Sequence, residues 1–192
     1  MAKVYFKYGA MNCGKTTALL QTAYNFEEKG KSVAIIKSSI DKKGDNNIVS
    51  RIGLKRKVDY LIEPDMIIKN TINFKNLDCI LVDEAQFLTR DQVVELWIIA
   101  NLYDIPVIGY GLKTNFQGEL FEGSKAFIEL SDDLEELSTL CECGKKARFN
   151  ARLINGEYVI DGDVVAIDGI DAEYNPLCGK CYIEKVLKLK KY

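Results

Sequence analysis

The first residues able to do chemistry stand near the start of the chain. Gly9-Ala10-Met11-Asn12-Cys13-Gly14-Lys15-Thr16 has the form G-x-x-x-x-G-K-T. That spacing suits a phosphate-binding loop. The glycines let backbone N–H groups turn inward around a β-phosphate, the lysine reaches the β- and γ-phosphates, and the threonine hydroxyl can ligate Mg2+. An acidic pair follows an apolar run, where Ile80-Leu81-Val82 gives way to Asp83-Glu84. A carboxylate at the carboxyl edge of a parallel strand faces the crevice in which such sheets bind ligands. Asp83 is therefore placed to hold Mg2+, directly or through water, and Glu84 to accept the proton of an attacking nucleophile. The chain contains no histidine, so acid–base work must fall to carboxylates, Lys, Tyr or Cys.

These groups need elements to hold them. Residues 4–8 read as a strand running into the loop, and residues 15–29 as a helix ended by Gly30, a suitable residue just past a helix C-terminus. Residues 32–37 (SVAIIK), 79–82 (CILV) and 106–110 (PVIGY) read as further strands. The second of these is apolar throughout, as a strand buried on both faces should be. Thr89 and Gln92 form a T-x-x-Q capping box that opens a helix to about residue 103. Strands separated by helical patterns predict βαβ units with right-handed crossovers and helices on both faces. The fold class expected is α/β: a P-loop, mainly parallel sheet flanked by helices, with a small C-terminal domain; the family resemblance given below implies that the sheet is RecA-like and the small domain a zinc-binding lasso. The boundary falls near residue 138, giving a nucleotide-binding domain over 1–137 and a β-rich, cysteine-bracketed domain over 138–192.

Bulk properties narrow the classes. The chain has 192 residues, is 47% apolar and 28% charged, and carries a net charge of -2. A chain of that composition can build a true core. The charge is not the basic balance that holds a nucleic acid by counterion release. The locally basic stretch 185–192 reads as a solvated helix end or tail. No apolar run reaches the ~20 residues of a membrane span. The first residues show a strand pattern rather than a signal-peptide layout. The expected setting is the cytoplasm, where six cysteines argue for metal or free thiols over disulfides.

Loop and carboxylates alone do not separate an ATPase from a kinase. Three ordered segments do more: residues 9–16, then Asp83-Glu84-Ala85-Gln86-Phe87, then Tyr110-Gly111-Leu112-Lys113-Thr114-Asn115-Phe116-Gln117-Gly118-Glu119-Leu120-Phe121. A C-x-C pair follows, and then Tyr174-Asn175-Pro176-Leu177-Cys178-Gly179-Lys180-Cys181. This order and spacing resembles the type II thymidine kinases, over about residues 3–185. The resemblance implies transfer of the ATP γ-phosphoryl group to the 5′-hydroxyl of thymidine in nucleotide salvage. Deoxyuridine would be tolerated, and the assembly would be a cytoplasmic homotetramer. It implies that Glu84 is the base and that residues 9–16 with Asp83 and Gln86 form the ATP site. Met11, Phe87, Leu112, Phe116, Phe121 and Tyr174 would line the thymine pocket or pack behind it. A lasso loop over residues 155–173 would bond the base mainly through backbone groups. Read without the family, Phe87, Phe116 and Phe121 are core aromatics. Asp41 and Arg51 occupy family-like positions without an assigned role. Lys113 stands where the family often has Asp, and Gly169-Ile170 where it often has Gly-Gly.

Cys141, Cys143, Cys178 and Cys181 can supply four thiolates to a closed, structural Zn2+ site. The first pair is C-x-C where the family often has C-x-x-C; the alternative is two separate pairs of free thiols. Cys79 falls in a strand core and Cys13 in the phosphate loop. The expected cofactors are ATP, Mg2+ and structural Zn2+, with no nucleic acid or membrane partner. The rival reading is a P-loop ATPase acting on nucleic acid, which explains the loop and the acidic pair but neither the aromatic segment nor the cysteines.

Overall fold

A computed structural model describes residues 2–42, 44–164 and 172–188. In chain order the elements are β1 (Val4–Tyr8), α1 (Lys15–Glu27), β2 (Val33–Ser38), β3 (Asn47–Val49), β4 (Lys55–Lys57), β5 (Tyr60–Ile62), α2 (Ile68–Thr71) and β6 (Cys79–Asp83). A single 3-10 turn, Ala85–Phe87, leads to α3 (Arg90–Tyr103), β7 (Val107–Gly111), α4 (Glu122–Leu130) and β8 (Asp133–Glu136). The C-terminal part holds β9 (Thr139–Leu140), β10 (Lys146–Ala147), β11 (Phe149–Ile154), β12 (Glu157–Val159), β13 (Ala172–Leu177) and α5 (Gly179–Lys185).

The main sheet runs β5-β2-β6-β7-β1-β8, and every pairing in it is parallel. Its central strands are buried end to end: all five residues of β6 and all six of β2. One apolar cluster joins Phe6, Val82, Leu96 and Phe127 on one face. Another joins Leu19, Ile35, Leu81 and Tyr110 on the other. That two-sided burial is why the strands read as unbroken apolar runs. β7 lies between β1 and β6, so the phosphate loop and the acidic pair emerge at the same carboxyl edge from two strands with one strand between them.

The expected strands and helices are present with small shifts. Helix α1 ends at Glu27, and its last turns tighten through Lys29 N–H to Phe26 O and Lys31 N–H to the same oxygen. Gly30, at φ 72°, makes that reversal possible. The capping box exists as read: Gln92 N–H donates to Thr89 Oγ1 at 3.3 Å and Thr89 N–H to Gln92 Oε1 at 3.1 Å.

The C-terminal part builds a second, three-stranded antiparallel sheet, β12-β11-β13. Its own small core contains Cys141, Leu177, Cys178, Cys181 and Tyr182. Phe149 stacks on Tyr182 with centroids 4.8 Å apart. Asn150 ties this unit to the first, since its Oδ1 accepts from Met11 N–H at 2.7 Å and its Nδ2 donates to Thr114 O at 3.2 Å.

Candidate active site

The phosphate loop begins where β1 stops. Gly9 N–H bonds to Gly111 O at 3.3 Å, and a Cβ at Gly9 would stand 2.4 Å from Leu137 O, so no larger residue fits this close crossing. Asn12 (φ 68°) and Gly14 (φ 83°) adopt left-handed backbone, which re-aims successive amides as an anion cradle requires. No side chain caps α1 and no acidic residue occupies its first turn. Its first N–H groups and its positive dipole end are therefore left for an anion. Lys15, 9% exposed, folds back onto the loop, donating to Ala10 O at 3.2 Å and Gly9 O at 3.5 Å. Thr16 sits half-buried in the same turn. Cys13 Sγ lies 3.8 Å from the Lys15 ammonium.

The acidic pair is built differently at its two positions. Asp83 ends β6 and is 4% exposed. Burial, reinforced by the neighbouring Glu84 charge and by Asp41, pushes its carboxyl up to about 7, while Lys15 acts in the opposite sense. A cation bound beside it would favour its ionised form. Directly after it the chain turns left-handed at Glu84 (φ 47°, ψ 44°). That conformation costs roughly 1–3 kcal/mol in a residue other than glycine and is characteristic of functional sites. Gln86, 2% exposed, fixes the result. Its Nε2 donates to Glu84 Oε2 at 2.7 Å and its Oε1 accepts from Leu112 N–H at 2.9 Å. Two glycines make room for this bridge. A Cβ at Gly111 would meet Gln86 Oε1 at 2.9 Å, and one at Gly123 would meet Ala85 O at 2.5 Å.

Beside Glu84 opens a cavity of about 850 Å³, a size suited to a small organic ligand. Met11, Phe87, Leu112, Phe116, Phe121 and Tyr174, all singled out from the sequence, line it together with Glu84 and Gln86. Phe87 and Phe121 meet edge to face, with centroids 5.7 Å apart and planes at 78°. Gln86 thus stands on the cavity wall, bonded to Glu84. Asp41 also lines the cavity and pairs with the buried Lys37 at 2.9 Å. Arg51 is exposed, and the Lys113 ammonium lies 6.0 Å from the Tyr8 ring centroid. Gly169-Ile170 lie outside the described residues. Sequence reasoning missed Asn150, Asn115 and Thr114 on the cavity wall. Neutral polar residues in a strand and a loop carry no chemical signature of their own, and only the fold brings them to the site.

The four cysteines converge. The sulfurs of Cys141, Cys143, Cys178 and Cys181 all lie within 4.8 Å of one another, with Cys143 and Cys178 3.6 Å apart. Tetrahedral coordination with Zn–S near 2.3 Å requires sulfurs about 3.8 Å apart, so the cluster fits Zn2+ despite its short first pair. The amide of Cys181 and the neighbouring thiols draw Cys178 down to about 7. Hydrogen bonding to Cys143, with burial, pushes Cys181 up to about 12. Zn2+ bound there would replace the thiol protons.

A phosphate loop at the carboxyl edge of a parallel sheet, a carboxylate pair two strands over and an aromatic cavity beside them define a P-loop nucleotide-binding protein with a second, apolar ligand site. The thymidine kinase family profile matches residues 2–182. Thymidine kinase from Francisella tularensis subsp. tularensis is 40% identical over 195 residues, covering 97% of this chain and 99% of its own. Those of Pasteurella multocida and Enterococcus faecalis are 44% identical over 191 residues and 45% over 186, covering 97% and 95% of this chain and 99% and 95% of their own. The chain belongs to the thymidine kinase family.

Proposed function

We propose that the protein acts as an ATP-dependent thymidine kinase, transferring the γ-phosphoryl group of ATP to the 5′-hydroxyl of thymidine to give dTMP. The observation that carries this reading is the position of Glu84. It is held by Gln86 on the wall of a cavity that Met11 of the phosphate loop and three phenylalanines also line. A base at that junction serves a hydroxyl delivered from the apolar side toward a phosphate delivered from the loop side.

The loop amides and Lys15 hold the ATP phosphates in line with the nucleoside. Lys15 exchanges its bonds to the loop carbonyls for phosphate oxygens and stabilises charge on the moving phosphoryl group. Glu84 takes the 5′-hydroxyl proton as the bond to phosphorus forms. Gln86 keeps the carboxylate aimed and limits its motion. The aromatic rings grip the base by area and shape. A 5-methyl group is worth only ~1–3 kcal/mol in such a pocket, so deoxyuridine is the expected second substrate. Thr16 and Asp83 would hold Mg2+, which would supply positive charge against the phosphates. Zn2+ held by Cys141, Cys143, Cys178 and Cys181 would be structural, since four protein ligands leave no position for water.

The division into domains 1–137 and 138–192, a homotetrameric assembly and a cytoplasmic setting belong to the same proposal. No described helix is long and apolar enough to cross a membrane. The test is transfer of labelled phosphate from MgATP to a panel of nucleosides. Strong labelling of thymidine, weaker labelling of deoxyuridine and little of purine nucleosides is expected. ATP hydrolysis stimulated by DNA or RNA, with no nucleoside labelled, would replace this reading with the nucleic-acid ATPase.

A further inference from the structure

The wall of the cavity is backed by a buried cation that the reaction above does not use. Arg152 lies in β11, 3% exposed. Among the described residues no carboxylate pairs with it, and its Nε has no hydrogen-bond partner. A buried guanidinium without a counter-charge is costly in a purely structural core. What it does touch is specific. Its Nη1 donates to Asp163 O at 2.7 Å, and its guanidinium carbon lies over the Phe116 ring, 4.9 Å from the centroid.

Both contacts lead to the cavity. Phe116 is a wall residue, 2% exposed, whose own carbonyl accepts from Tyr182 Oη–H at 2.6 Å. Asp163 and Val164 are wall residues too, although their segment is otherwise exposed. A second side chain grips the same segment from the loop between β7 and α4: Gln117 Nε2 donates to Ile160 O at 3.0 Å. Two carbonyls three residues apart are thus held by two side chains, one from β11 and one from the loop between β7 and α4. Gly162, at φ 110°, permits the backbone turn between them.

We propose that Arg152 is a positioning residue for the nucleoside. It clamps the main chain at Asp163 against the Phe116 wall, with Gln117 as the second anchor, so that residues 160–164 complete the nucleoside cavity. Because the grip is on a carbonyl oxygen, it does not depend on the side chain of Asp163. Lysine can reach a carbonyl but cannot stack its charge flat on the ring and donate sideways at once. The proposal rests on the thymidine kinase reading for its substrate, and it is tested in two arms so that the two can fail separately.

The first arm is activity-independent: amide hydrogen exchange of Arg152→Gln, Arg152→Lys and Gln117→Ala against the unaltered protein. Losing a charge-assisted bond should speed exchange across residues 160–164 by about tenfold or more in Arg152→Gln, and less in Arg152→Lys, with β1, β6 and β7 unchanged. The second arm is kinetic. KM for thymidine should rise about tenfold, with KM for ATP and kcat held within about twofold. Exchange and thymidine KM both unchanged in folded Arg152→Gln would overturn the clamp. So would a general loss, with exchange accelerated through the main sheet and both KM values rising together. If Arg152→Gln does not fold, Arg152→Lys and Gln117→Ala decide by the same criteria. An unaltered protein that phosphorylates no thymidine would defeat the substrate reading, while the exchange arm still decides the clamp.

Discussion

Gln86 is the residue through which the site should be most easily broken without touching a reacting group. Truncation to alanine removes two bonds at once. Leu112 N–H, now buried without a partner, loses its acceptor at 2.9 Å, and the Glu84 carboxylate loses its donor at 2.7 Å. An orphaned buried amide costs about 1–3 kcal/mol and a bond to a charged group about 1.5–3 kcal/mol. Glu84 is half-exposed and regains water, so the net cost should fall near the lower sum, roughly 2–4 kcal/mol. For a chain of this size that corresponds to a melting temperature lower by roughly 5–15 °C. Activity should fall further than stability accounts for. A base free to leave its left-handed backbone perch loses its aim, and misplacement of that kind costs about 100-fold in kcat. The assay pairs thermal unfolding with steady-state phosphate transfer well below the new melting temperature. KM for ATP should change far less than kcat, because the two side-chain bonds of Gln86 go to Glu84 and Leu112. A Gln86→Ala protein with unchanged kcat, or one whose loss of activity tracks its loss of fold across temperature, would refute the bridge.

Three further outcomes follow from the same contacts. A methyl at Gly123 would stand 2.5 Å from Ala85 O, so Gly123→Ala must push α4 off the turn that carries Glu84. A destabilisation of about 1–3 kcal/mol with a disproportionate fall in kcat is expected, read by denaturant unfolding beside turnover. Asp83 is pushed from an ordinary value of 3.8 to about 7 by burial beside Glu84. The penalty of ionising it in the fold is absent below about pH 4, grows up to about pH 7 and is full above that, so Asp83→Asn should raise the melting temperature of the nucleotide-free protein at pH 8 but hardly at pH 4, while removing transfer activity. Four sulfurs within 4.8 Å should hold one Zn2+ per chain. A strong chelator should lower the melting temperature, and Cys143→Ser should reduce bound zinc as measured by metal analysis.

How much of this was legible without coordinates differed by element. The phosphate loop, the acidic pair and the strands that carry them were plain, because a buried parallel strand must be apolar throughout and its edge chemistry must follow at once. The capping box at Thr89 was legible because both partners are local. Strand β8 was not: its sequence is Asp-Leu-Glu-Glu, largely exposed, and only its backbone pairing with Tyr5, Phe6, Lys7 and Tyr8 of β1 makes it a strand. Helix α4 has no side-chain cap and gives no start signal. At the site, the structure gathers Met11, Glu84, Phe87, Leu112, Phe116, Phe121 and Tyr174, all singled out from the sequence, around one cavity. Residues that act through geometry, Asn150 between loop and wall and Arg152 behind Phe116, are ordinary strand residues in sequence. The bond from Gln86 to Glu84 spans two positions through a left-handed backbone that no propensity predicts.

The central claim is that Glu84 is the base for transfer from the loop to a hydroxyl in the cavity. Single-turnover transfer from MgATP to thymidine, comparing the unaltered protein with Glu84→Gln, tests it most directly. The glutamine keeps the size of the group and its hydrogen-bonding to Gln86 in altered form, but cannot take the proton. Loss of the transfer rate by about 100- to 10,000-fold, with nucleotide and thymidine binding retained, is the expected result. A Glu84→Gln protein that transfers phosphate within about tenfold of the normal rate would contradict it and move the proton to another acceptor.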